Sequence, residues 1–143
     1  MDRKLNYGAI VVAGLVYWFI QAGWYTLLSN QWVAAIGKTK ADMQGGASLI
    51  PFIGSLLCDI VVAWALAWVL TRTGRTTALA GAVTGAALSI GFFATGLLTN
   101  YLFEQAPRML FYLNAGCALV GMTAAGAVVG AWQRSGAARA ASA

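Results

Sequence analysis

The chain has 143 residues, of which 60% are hydrophobic and only 9% charged. A water-soluble domain carries about 25% charged and roughly 45–50% apolar residues, so this composition excludes a water-facing surface over most of the protein and makes lipid its solvent. The net charge of +5 comes from scattered flanking residues and forms no patch, which argues against nucleic acid and for anionic lipid headgroups as the partner.

Four apolar runs follow one another, at residues 6–28, 47–70, 78–102 and 109–132. At ~1.5 Å per residue each exceeds the ~30 Å hydrocarbon core. None alternates with the period of two that a strand requires, so all four read as helices. The first run follows the basic pair Arg3 and Lys4. It is far longer than the ~7–15-residue core of a signal peptide, and no small-residue cleavage site follows it. It is read as a retained helix, with Gly14, Tyr17, Gln21 and Tyr25 aligned on one face. Lys38, Lys40 and Asp42 then form a solvated loop.

The second run places Pro51 in its first turn, where the missing N–H costs little. Asp59 stands near its middle. Ser48, Phe52, Ser55, Ala63 and Leu66 share the face of Asp59, while Ile53, Leu57, Ile60, Val61, Trp64 and Trp68 form a bulky stripe suited to lipid. The third run aligns Ala82, Ser89, Phe93, Gly96 and Asn100, and brings Gly81 and Gly85 one turn apart. Pro107 lies in the last loop. The fourth run aligns Asn114, Cys117, Ala118, Gly121 and Ala125 on one face and Gly126 with Gly130 on another. Such glycine pairs let helix backbones approach closely, within the bundle or against a second copy, so a homo-oligomer is one expectation. Residues 134–143 are Ala-rich and read as a short disordered cytoplasmic tail.

Basic residues set the orientation. Arg3, Lys4, Arg72, Arg75, Arg134 and Arg139 fall on one side, and Lys38, Lys40 and Arg108 on the other. The larger group marks the cytoplasm. Trp24, Tyr25, Trp32, Tyr101 and Tyr112 at the outer ends, with Trp68 and Trp132 at the inner ends, agree with these boundaries. The expected fold is an all-α integral membrane protein: a single four-helix domain over residues 1–133 with both termini inside.

Asp59 is the most informative residue. A charge at mid-membrane costs about 2.5–3.5 kcal/mol on insertion scales, so it should face protein or water. No Lys or Arg lies at comparable depth in any run to pair with it. Measured from the outer boundary, Asn100 and Asn114 are shallow, Gln21 deeper, and Asp59 and Ser89 near the middle. That gradient fits either a cavity opening outward, with Asp59, Ser55, Gln21, Tyr17, Ser89, Asn100 and Asn114 as ligand or ion contacts, or plain interhelical hydrogen bonding at about 0.6 kcal/mol per group. Cys58 and Cys117 lie within helices and read as small apolar residues. The chain contains no His and no CxxC motif, which leaves no catalytic set, metal site or cofactor site to name.

Gly23-Trp24-Tyr25, followed by Trp32 and Gly37, resembles the start of a bacterial membrane family called domain of unknown function 1761. Thr99-Asn100-Tyr101-Leu102-Phe103-Glu104, then Leu113-Asn114-Ala115-Gly116, resembles its second signature, and the resemblance covers roughly residues 5–133. The family pattern has a Tyr-His pair where this chain has Cys117 and Ala118, so any activity resting on that pair is absent here. The resemblance implies a multi-pass bacterial inner-membrane protein and supplies no function. Size and helix number are also similar to those of small multidrug transporters, whose key Glu lies in the first helix, where this chain has only Gln21. Two functions remain open: a transporter or binding protein for a proton, cation or small solute using Asp59, or an accessory subunit without transport.

Overall fold

The computed structural model describes residues 5–43, 48–75 and 77–141, with only the backbone described over 133–141. Arg3, Lys4 and the expected start of the second run at residue 47 lie outside the described residues, as do the side chains of Arg134 and Arg139. The described residues are helical, and four of the helical stretches are long and apolar enough to cross a membrane.

The boundaries follow local chemistry. Helix α1 (Tyr7–Leu27) starts where the Asn6 side chain accepts from the Ala9 N–H. Two short helices, α2 (Ser29–Ala35) and α3 (Lys40–Met43), fill the following connection. Lys38, Lys40 and Asp42 are all exposed there, as a solvated segment should be. Helix α4 (Ile50–Thr73) carries Pro51 in its first turn and ends at Gly74, whose left-handed φ of 68° stops it three residues beyond the expected end. Helix α5 (Ala78–Leu88) is capped by the Thr77 hydroxyl. It continues through a π-helical segment, Ser89–Ala94, into α6 (Thr95–Glu104).

Gln105, at φ 53°, turns the chain into α7 (Arg108–Ala141). The segment expected to be a disordered tail therefore continues α7 as far as Ala141. Alanine has the highest helix propensity, and no proline interrupts the stretch.

Helix α7 is the hub, packed on α5 along one flank and on α1 along the other; α1 in turn packs on α4. Glycine sets both flanks. A Cβ at Gly81 would strike the Gly126 carbonyl, one at Gly85 the Met122 carbonyl, and one at Gly130 the Thr77 carbonyl. The two glycine pairs thus face one another inside a single chain. On the other flank Gly121 lies under the Tyr17 ring, and Gly14 of α1 leaves Ile60 of α4 only enough room for a hydrogen, its Cα being 2.9 Å from where a Cβ would stand. Ile60 is therefore half-buried against α1, unlike the exposed Ile53, Leu57, Val61, Trp64 and Trp68 beside which it was grouped. Phe52 and Ser48, grouped with Asp59, are instead exposed, whereas Ala63 and Leu66 are buried as expected.

The interior is divided along its length. Ile10, Ala13, Ala63, Leu66, Leu70, Ala125 and Val129 form a dry core toward the end of the bundle where α1 begins. Polar side chains gather in the other half.

Candidate functional site

Asp59 sits on α4 about nine residues, or roughly 14 Å of helix rise, from the Ile50 end. It is 3% exposed. The Gln21 amide of α1 donates to its Oδ1 at 3.1 Å, and its buried Oδ2 has no hydrogen-bond partner. Side-chain direction explains the meeting. Gly14 lets α1 and α4 touch at Ile60, beside Asp59. The Gln21 side chain, two turns further along α1, meets Asp59 because side chains on these antiparallel helices lean toward their own N-termini and so toward each other.

These two residues line a cavity of about 180 Å³. Tyr17, Gln21 and Tyr25 contribute from α1, Cys58, Asp59 and Val62 from α4, and Asn114, Cys117, Ala118 and Met122 from α7. Phe93 closes it from the π segment. At the end away from the dry core, the Tyr25 hydroxyl donates to Asn114 Oδ1 at 2.7 Å, and the Asn114 amide donates to the Tyr101 hydroxyl at 2.7 Å. Three helical stretches are joined there by one amide side chain. Tyr25 also meets Trp32 edge to face, with ring centroids 5.7 Å apart.

Of the residues expected to serve together, Asp59, Gln21, Tyr17 and Asn114 converge on this cavity. Ser55 does not line it. Its hydroxyl accepts from the Trp18 indole at 3.0 Å and donates to the Phe52 carbonyl at 3.0 Å, tying α4 to α1. Ser89 is buried with a partnerless hydroxyl, outside the cavity wall. Asn100 is exposed and apart from the site. The cause is the π segment, which places an extra residue in one turn and so rotates α6 by about 100° relative to an uninterrupted α-helix. The Thr95 hydroxyl donates to the carbonyls of Gly91 at 2.7 Å and Phe92 at 3.3 Å, supporting backbone that the wider turn loosens.

Phe93, aligned with Ser89 and Asn100 in the third run, reaches the wall where those two do not, and Cys58, Val62 and Met122 complete it from positions outside the aligned faces. Each is an apolar or weakly polar residue in an apolar run, so composition carries no signal for them. Both cysteines are free thiols, and among the described residues no His, Cys, Asp and Glu cluster could hold a metal. The arrangement puts a buried carboxylate, one of whose oxygens has no partner, in the wall of a small, partly apolar chamber. A proton on Oδ2, or a cation or hydrogen-bond donor beside it, would remove the cost of burying that oxygen unpaired.

Compared with known protein families, residues 8–130 match the family described as Protein of unknown function (DUF1761). No curated protein matches the chain. No solved structure matches it either.

Proposed function

The chain belongs to the DUF1761 family, and from that premise and the geometry of its cavity we propose that it is a four-span inner-membrane protein that binds, and in doing so moves, a proton, cation or small cationic solute at Asp59. Asp59, a buried carboxylate on the cavity wall with one oxygen left without a partner, carries this reading. An ionisable group is the costly choice at that depth, and an Asn would make the same bond with Gln21. The excess of basic residues at the termini and the 72–77 loop, six against three on the other side, supports both termini lying in the cytoplasm. The Tyr25–Asn114 end of the cavity then faces outward, and the dry core from Ile10 to Val129 seals the cytoplasmic side. At ~30 Å³ per water the chamber holds about six waters, which suits a proton, a hydrated ion or a very small amine better than a drug-sized solute.

A second reading also has an observation behind it. Tyr25, Asn114 and Tyr101 satisfy one another, as polar groups do when they only join helices. On that reading the protein is an accessory membrane subunit, and Asp59 with Gln21 is one more interhelical bond.

Flux in proteoliposomes separates the two. Asp59→Asn keeps the volume and the hydrogen bond and removes the titratable proton. Under the transport reading it folds normally and loses pH-dependent uptake of a probe such as methylammonium. An Asn variant with unaltered, pH-responsive uptake contradicts that reading. Asp59→Leu, which also removes the bond to Gln21, serves as the stability control.

A further inference from the structure

A second concavity lies at the opposite end of the bundle, between α4 and α5, with a volume of about 530 Å³. It exists because α5 is drawn onto α7 by Gly81 and Gly85, which leaves its other flank only lightly packed on α4. Val69 of α4 and Val83, Ala87 and Leu88 of α5 form its walls. The two hydroxyls along it are turned to their own backbones: Thr73 donates to the Val69 carbonyl at 2.9 Å and Thr84 to the Ala80 carbonyl at 2.8 Å. The wall is therefore apolar in effect.

Its mouth is cationic. Gly74 ends α4 in a left-handed turn and delivers Arg75 to the edge of the groove. No acidic side chain among the described residues lies at this end: Asp42 and Glu104 sit at the other, and Asp59 sits in the middle. The neighbouring Arg72 is stacked on the Trp68 ring, 5.5 Å from its centroid. On α5 the groove's lining runs from Val83 to Leu88, about 8 Å of helix rise, and on the α4 side from Val69 to Arg75, about 9 Å, so it reaches part of the way into one leaflet.

We propose that this groove is a binding site for an anionic phospholipid, with one acyl chain lying between α4 and α5 and the headgroup phosphate on Arg75. The apolar wall and the charge at its mouth match the acyl chain and the headgroup of such a molecule. The site rests on the chain spanning a bilayer and is independent of any role for Asp59.

The test uses the full chain, stripped of lipid in detergent, with thermal stability followed as phosphatidylglycerol or phosphatidylcholine of identical chains is titrated in. Phosphatidylglycerol should half-saturate the stabilisation at about fivefold lower concentration, the effect of one Arg at a headgroup. Arg75→Gln should abolish that difference, Arg72→Gln should keep it, and Val83→Phe should weaken binding of both lipids. Equal stabilisation by the two lipids overturns the proposal, as does no stabilisation by either. So does a preference lost as fully with Arg72→Gln as with Arg75→Gln, or inorganic phosphate reproducing the effect. A chain that did not span a membrane at all would be recognised earlier, by failing to fractionate with membranes.

Discussion

Replacing Gly81 by Ala adds one methyl where α5 crosses α7. The new Cβ would strike the Gly126 carbonyl oxygen, and the carbonyl carbon would lie at 2.7 Å, against at least 3.4 Å for ordinary contact. Both obstructing atoms are backbone, so no rotamer change relieves the clash, and the helices must part by about 0.7 Å or more along the whole seam. Overpacking of this kind costs about 1–3 kcal/mol. The better helix propensity of Ala returns up to about 1 kcal/mol, so a net loss of up to about 2 kcal/mol is expected, and one of about 1–3 kcal/mol relative to an Ala placed in open space. Gly96→Ala is the matched control, since nothing lies within 4 Å of a Cβ there; it should be neutral or slightly stabilising. Reversible unfolding in mixed micelles measures both. Because the partner of Gly81 is Gly126 of the same chain, the oligomeric state should not change. Equal stability of the two variants, or a Gly81→Ala effect seen only as a change of oligomer, would refute this packing.

Three further outcomes are expected. Reporter fusions after residue 143 and in the 72–77 loop should read cytoplasmic and one near Lys40 external; a periplasmic C-terminal reporter rejects the orientation. Asn114→Ala removes hydrogen bonds to both Tyr25 and Tyr101 and should destabilise by about 1–2 kcal/mol, whereas Tyr25→Phe removes one and should cost about 0.6 kcal/mol, both read by the same unfolding assay. In the exposed connection, the Thr39 hydroxyl and then its N–H donate to Asp42 and hold that carboxyl below its usual range. The contact therefore favours the turn above the ordinary carboxylate pKa and is lost as pH falls through the depressed one. Thr39→Ala should move the Asp42 titration upward in NMR, and an unmoved titration contradicts the assignment.

Much of this fold is legible in the order of residues because lipid-length apolar runs admit few structures. Asp59, Gln21, Tyr17 and Asn114 stand out for the same reason: each is polar where polarity is costly, and each lies on a helical stripe that phase alone can trace. The glycines of α5 and α7 announce close approach but not the partner; only the antiparallel crossing shows Gly81 set against Gly126. Ser55 and Trp18 find each other through an indole donor that reads equally well as a boundary anchor. Asn100 misleads because a regular 3.6-residue phase was carried across Ser89–Ala94. The π turn there has no proline to mark it, and its serine and glycine are common in apolar helices. The dry core and the polar half of the bundle are a property of three helices together, visible in none of them singly.

Infrared difference spectroscopy between acidic and alkaline pH, on the wild-type chain and Asp59→Asn in the same lipid, tests the role of Asp59 most directly. The wild-type spectrum should contain a carboxylic-acid C=O band that is absent from the Asn variant and that shifts when methylammonium is added. Identical difference spectra from the two proteins, with methylammonium leaving both unchanged, would contradict a proton- or cation-binding Asp59.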